Sequence, residues 1–180
     1  MSNRVLFRDD FETGEVADAW EVTRHHDVES VTQQNGILTY RSPADETAYA
    51  PDMTAVTRET FTGAGTQVFE ATHRVESGYW SSKIFRVLDT DSDEKLELTE
   101  KSHNQTGFHI NLPGETGQVT EIDTATESTD WITYRLTIDF DAGRVVSVER
   151  GGETYELDIS IPHDISEYRF GIGEANAVEQ

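Results

Sequence analysis

The residues with most capacity for chemistry sit in a few short stretches, the densest being Asp89-Thr90-Asp91-Ser92-Asp93-Glu94 with Glu100 beyond it. Alternate carboxylates followed by a glutamate suggest an oxygen cage for calcium, a hard cation that takes about six to eight oxygen ligands. The helix-loop-helix form of that cage needs glycine at its sharp turn, and Glu94 stands there. If Leu96 to Glu100 is extended, Glu100 lies about 23 Å from Asp93 at about 3.3 Å per residue, too far to share one ion. Two readings of the segment remain: a plain acidic hairpin, or a looser calcium site on Asp89, Asp91 and Asp93. Tyr79-Trp80, beside Gly78, offers two aromatic rings able to stack on a sugar, and packing at a sheet end is their other use. His25-His26 has no third metal ligand at a recognisable spacing. Asn104-Gln105-Thr106 is a glycosylation sequon, meaningful only in an exported chain. Nucleophile-elbow, phosphate-cradling and dinucleotide patterns are all missing.

The elements that must carry these residues read as strands. In Ile132 to Phe140, Ile132, Tyr134, Leu136, Ile138 and Phe140 alternate with Thr133, Arg135, Thr137 and Asp139, the period of a half-buried strand. Asp141-Ala142-Gly143 turns the chain into Val145 to Arg150, Gly151-Gly152 turns it again, and Tyr155 to Ile161 repeats the alternation before Pro162 stops it. Three consecutive strands therefore form a meander. Further strands are expected at Val5 to Phe11, Val28 to Gln33, Ile37 to Arg41, Thr54 to Phe61, Gln67 to Val75, Ser81 to Leu88, Leu96 to Lys101, Phe108 to Leu112, Val119 to Thr124 and Tyr168 to Ile172. Turn residues such as Asn35-Gly36, Gly63-Ala64-Gly65 and Ser77-Gly78 separate them. Helical periodicity lasts about one turn at most, near Glu15 to Trp20. A dozen short strands with regular turns predict an all-β fold, an antiparallel two-sheet sandwich, over one domain spanning 1–180.

Composition bounds the partners. With 35 Asp and Glu against 14 Lys and Arg, the net charge is -21. Nucleic acid and anionic lipid are disfavoured as direct partners, because both would be repelled. Only Lys83, Lys95 and Lys101 are lysines; every other basic residue is arginine. A lysine-poor, carboxylate-rich chain resembles the proteins of salt-accumulating archaea, where molar salt shortens electrostatic screening to about 3 Å. Cysteine is absent, which excludes disulfides and thiolate metal sites. Met1 to Phe11 has no apolar core of signal-peptide length, and no run approaches a membrane span. No export address and no membrane insertion are expected, which places the protein in a virion if it is viral and in the cytoplasm otherwise, in high salt.

Leu6-Phe7-Arg8-Asp9-Asp10-Phe11-Glu12 with Trp20, then Asn35-Gly36-Ile37-Leu38, Phe85-Arg86-Val87-Leu88-Asp89, and finally Trp131 to Leu136 with Arg144 to Val148, resemble in that order the concanavalin A-like lectin and glucanase group, including laminin G-like domains. The resemblance implies a jelly roll of two curved antiparallel sheets with first and last strands near one another. It also implies calcium at loop rims as the cofactor to consider, and glycan as ligand. Enzymes of that group use a Glu-x-Asp-x-Glu strand, whose alternate side chains bring nucleophile and acid about 5 Å apart. Here Glu156-Leu157-Asp158-Ile159-Ser160 puts a hydroxyl where the proton donor should be, and Glu97 and Glu100, three apart on a strand, face opposite ways. No catalytic residue is expected, and hence no enzyme. The function expected is a structural and recognition module on the surface of a halophilic virus, as a capsid decoration, turret or tail protein that binds other virion or self subunits as a homo-oligomer and contacts glycan. The competing expectation is a cellular carbohydrate-binding module or a degenerate glycoside hydrolase.

Overall fold

The computed structural model describes residues 5–12, 18–23, 30–41, 53–74, 81–91, 95–101, 107–112, 119–123, 130–161 and 164–175. Alternating apolar positions fold them into strands that pack as two antiparallel sheets. The larger sheet holds β1 (Trp20–Thr23), β4 (Met53–Thr57), β14 (Glu167–Ala175), β7 (Ser81–Asp89), β8 (Lys95–Lys101), β9 (Gly107–Asn111) and β10 (Val119–Asp123) in that order, with β5 (Phe61–Thr62) also pairing with β14. In the smaller sheet the order is β13 (Glu153–Ser160), β12 (Arg144–Arg150), β11 (Ile132–Asp139) and β6 (Thr66–His73). A separate hairpin joins β2 (Ser30–Gln34) to β3 (Ile37–Arg41) through Asn35 and Gly36, both at positive φ, as a tight two-residue hairpin turn requires.

The core lies between the two sheets. Phe85, Val87, Leu96, Leu98 and Ile110 from the larger sheet meet Tyr134, Leu136, Ile138, Val145 and Val148 from the smaller one, all essentially without solvent contact. Aromatic rings close one end: Phe69 stacks on Phe170 at 5.5 Å between centroids and Phe140 on Tyr168 at 5.2 Å. Such ring pairs add to the area they bury. Gly63 is obligatory beside them, since a Cβ there would sit 2.0 Å from the Ile165 carbonyl oxygen.

The antiparallel sandwich, the β11–β12–β13 meander and the nearness of the first and last strands agree with the sequence reading, β1 being separated from β14 by β4 alone. Three local expectations need correction. Residues 5–11 form no strand: the Asp9 carboxylate accepts from the Phe11 backbone N–H at 2.8 Å and from the Trp20 indole N–H at 2.6 Å, and Phe11 turns to φ 56, which breaks an extended path. Their apolar side chains are used all the same, because Phe7 packs edge-on against Trp20 at 5.3 Å. The segment Thr54 to Phe61 is two strands rather than one, divided where the Thr57 hydroxyl bonds to the Glu59 carbonyl. Trp20, placed at the end of a helical turn by its spacing, instead opens β1; residues 13–17 lie outside the described residues.

Candidate functional site

The larger sheet has a second face, turned away from the smaller sheet, and the strand register fixes which residues reach it. One row crosses the strands as Glu21, Val56, Gly171, Arg86, Glu97 and Asn111. The next is Thr54, Gly173, Lys83, Thr99, His109 and Glu121. In each row the interval between neighbouring strands is about 4.8 Å. On β7 and β8 the polar residues fall between core residues: Arg86 between Phe85 and Val87, Glu97 and Thr99 on either side of Leu98.

Side chains on a solvated sheet face are normally wet, but these are not. Arg86 is 3%, Thr99 1% and His109 5% exposed. Arg86 Nε lies 2.8 Å from Glu97 Oε1, an ion pair removed from water. Taking such a pair out of water costs several kcal/mol before its own attraction is counted, on the order of the stability of a whole domain. The Thr99 hydroxyl is buried and has no hydrogen-bond partner among the described residues. Buried polar atoms in native proteins are nearly always satisfied, so an exception calls for an explanation, of which a ligand is one. Beside this set β14 presents glycine. A Cβ on Gly171 would lie 3.2 Å from Val56 Cγ2, 3.3 Å from the Ala55 carbonyl oxygen and 3.4 Å from Arg86 Cβ, so the neighbours close in on the place a side chain would take. At the rim Arg169 donates to Glu21 and to the Thr57 carbonyl, both at 2.6 Å, and its hydrogen bond and charge hold the Glu21 carboxyl below the usual range. Guanidinium, carboxylate, hydroxyl and imidazole groups therefore share one strip of this face, the donor and acceptor types with which proteins bind polar ligands.

Glu100, three residues from Glu97, belongs to the opposite face as expected. Its side chain is fully buried between the sheets, where it accepts from the Tyr134 hydroxyl at 2.7 Å and from Arg150 Nε at 2.5 Å. Burial raises its pKa against those two bonds and raises that of Tyr134 as well. With both oxygens engaged between the sheets, Glu100 ties the sheets together.

The other sequence candidates are dispersed. Tyr79, Trp80, His25, His26, Asn104 and Asp93 lie outside the described residues. Asp89 ends β7 with its carboxylate accepting from the Asp91 backbone N–H at 3.1 Å, and Asp91 accepts from the Ser166 hydroxyl at 3.3 Å, a turn tied by its own side chains. Among the described residues no three His, Asp or Glu gather as a metal site. Glu156, Asp158 and Ser160 occupy the exposed face of the edge strand β13, and Asp158 pairs with Arg144 at 2.7 Å. Arg86, Thr99 and His109 were not anticipated. Their signal was a charge inside the apolar run Ile84 to Leu88 and the two glycines spaced by two in the last strand.

No known family pattern and no curated protein matches the sequence. Solved structures do. A β-1,3-glucanase from Mycobacterium marinum superposes with a TM-score of 0.68 at 12% identity, covering 100% of this chain and 92% of that one. Porphyranase B from Zobellia galactanivorans gives 0.60 at 13% identity, over 96% and 80%. The carbohydrate-binding module CBM66 from Bacillus subtilis gives 0.57 at 12% identity, over 88% and 89%. At these identities the likeness establishes the fold, an all-β jelly-roll sandwich shared by glycan-cleaving and glycan-binding proteins. The inference of a non-enzyme is therefore corrected: it treated a lectin-like sandwich lacking one carboxylate pattern as inert, whereas the architecture itself is that of a glucanase and a porphyranase. No helix among the described residues is long and apolar enough to cross a membrane.

Proposed function

We propose that this chain is a carbohydrate-active β-sandwich that seats a glycan on the outward face of its larger sheet. The observation that carries the reading is the set of buried polar groups on that face, the Arg86–Glu97 pair with the Thr99 hydroxyl beside it. A sugar brings hydroxyls that can pair with the Thr99 hydroxyl. The fold shared with a glucanase, a porphyranase and a carbohydrate-binding module supports it. The likeness to glycan-cleaving and glycan-binding proteins favours the carbohydrate alternative over the virion-surface one. Affinity electrophoresis of the pure protein against β-1,3-glucan, β-1,4-glucan and galactans, in low and in molar salt, tests the reading, with reducing ends measured in parallel to detect cleavage. At least one polymer should retard the protein, and Arg86→Ala should weaken that retardation about tenfold or more, the scale of one charge-assisted hydrogen bond. Retardation by none of them under either condition would sink it.

A further inference from the structure

One corner of the smaller sheet holds an aromatic ring half in solvent. Trp131 stands just ahead of β11 and Arg74 just after β6, and because Ile132 pairs with His73, the two are neighbours across the strands. The Arg74 guanidinium lies over the indole, 4.7 Å from the ring centroid, yet Trp131 keeps 48% exposure. The alternation that turns Ile132 and Tyr134 towards the core turns Trp131, Thr133 and Arg135 outward, so the ring belongs to the face remote from the larger sheet. A cation over an indole face is attractive and holds the ring in one orientation. On the other flank β12 ends level with Thr133, where the Gly151 N–H donates to the Thr133 carbonyl at 2.9 Å and the chain turns back through Gly151 and Gly152, both at positive φ. That turn carries no side chains, and a Cβ on Gly152 would meet nothing within 4 Å, so open space adjoins the turn. One step along the face, the Thr72 and Thr133 hydroxyls share a hydrogen bond at 2.9 Å. A hydroxyl has one donor and two acceptor sites, so the pair retains capacity beyond the bond it shares.

The size of the patch selects its occupant. Among the described residues the other strongly exposed large apolar side chain of this sheet is Val68, about 20 Å from Arg74 along β6 at about 3.3 Å per residue. A stable protein interface covers about 800 Å² of each partner around an apolar centre, which one indole among guanidinium, hydroxyl and glycine groups does not supply. A single sugar ring is of the right size. In β-linked glucose the ring hydroxyls are equatorial, which leaves C–H bonds on both ring faces and hydroxyls at the edge. The indole face is negative and those C–H bonds slightly positive, so the two surfaces are complementary in charge as well as in shape. We propose that Trp131 is the platform of a second glycan contact, which takes one pyranose unit of a β-linked hexose polymer, its C–H face on the indole and its hydroxyls towards the Thr72–Thr133 pair. The core separates this platform from the Arg86 strip, and neither needs the other.

The experiment titrates the ¹⁵N-labelled full chain with cellohexaose and with laminarihexaose, in low and in molar salt, and follows the indole N–H signals of its 3 tryptophans. The signal lost in Trp131→Phe is that of Trp131. It should move progressively with at least one hexaose, and should do so equally in Thr99→Val, which disables the other face. In that background Trp131→Ala should weaken binding of the hexaose about tenfold by calorimetry, with the unfolding midpoint unchanged. Arg74→Lys should keep most of the affinity and Arg74→Ala should lose part of it. A Trp131 signal that neither hexaose moves at millimolar concentration would overturn the inference, while retention of polysaccharide sensitive to Arg86→Ala would then leave the reading of the larger sheet standing. Movement that disappears in Thr99→Val would also overturn it, since the ring would then report the other face. Movement with protein concentration alone would replace the sugar by a second copy of the chain. A Trp131 response without any polysaccharide retention through Arg86 would uphold the platform and remove the larger sheet's site.

Discussion

The outward faces of the two sheets are built from similar residues and treat them in opposite ways. On the smaller sheet Arg135 lies between Glu70 at 2.6 Å and Glu149 at 3.0 Å, and Arg144 meets Asp158 at 2.7 Å, all with substantial solvent contact. Thr72 and Thr133 share a hydrogen bond across the strands at 2.9 Å. Those are the exposed pairs that contribute little to stability, and the face is a solvated surface. On the larger sheet the same kind of pair, Arg86 with Glu97, retains 4% and 12% exposure, beside a hydroxyl with no partner among the described residues. Geometry of the pair does not separate the two cases, since both fall within 3 Å. Burial does, and it marks the larger sheet's face as the one whose polar groups are shielded from water.

Breaking the buried pair should have the largest effect. Arg86→Ala removes the buried guanidinium beside Glu97 and should cost about 3–5 kcal/mol of stability, read as the loss in urea unfolding free energy. A loss below 1 kcal/mol would place the pair with the surface ones. Next comes a pH effect from a side chain turned inward on the smaller sheet. Desolvation pulls the His73 pKa down from 6.5 to about 4, so the folded form holds the ring neutral. With the folded pKa below the unfolded one, its contribution is complete above about pH 6.5 and is lost as pH falls towards 4. His73→Gln should flatten that part of the stability profile, and an unchanged slope would show that burial does not govern this ring. Thr99→Val, nearly isosteric, removes a hydroxyl without a partner among the described residues and should leave stability equal or raise it by about 1 kcal/mol while weakening glycan retention. A clear loss of stability instead would mean the hydroxyl serves the fold. Least is expected of Arg144→Ala, which should move Tm by about one degree and by less in high salt.

What could be read from the sequence follows from how each feature is encoded. Strand alternation is local, so β3 and the β11–β12–β13 meander lie in the chain almost where they are expected. The N-terminal stretch deceived because Phe7 and Phe11 have the spacing of a strand yet are placed by Asp9 and Trp20, a contact spanning eleven residues. Glu97 and Glu100 were correctly assigned to opposite faces by period alone. The outward row was not legible as a site, because its residues come from β14, β7, β8 and β9 and meet only through register. A search along one strand for paired carboxylates cannot find a surface assembled across four. Arg86 could have been flagged by itself, since a guanidinium inside Ile84-Phe85-Arg86-Val87-Leu88 has to be housed somewhere.

The position of β14 governs the order in which the molecule can be made. Residues 167–175 fill the middle of the larger sheet, between strands that begin at Met53 and Ser81. Until that segment has been synthesised, β4 and β7 face a gap one strand wide, with their hydrogen-bonding edges open to other chains. Assembly of this sheet therefore waits for residues 167–175 and joins strands far apart in the chain, a slow route that exposes the unfinished sheet to aggregation. Truncation ahead of Glu167 should yield two disconnected half-sheets and insoluble product, whatever the surrounding salt.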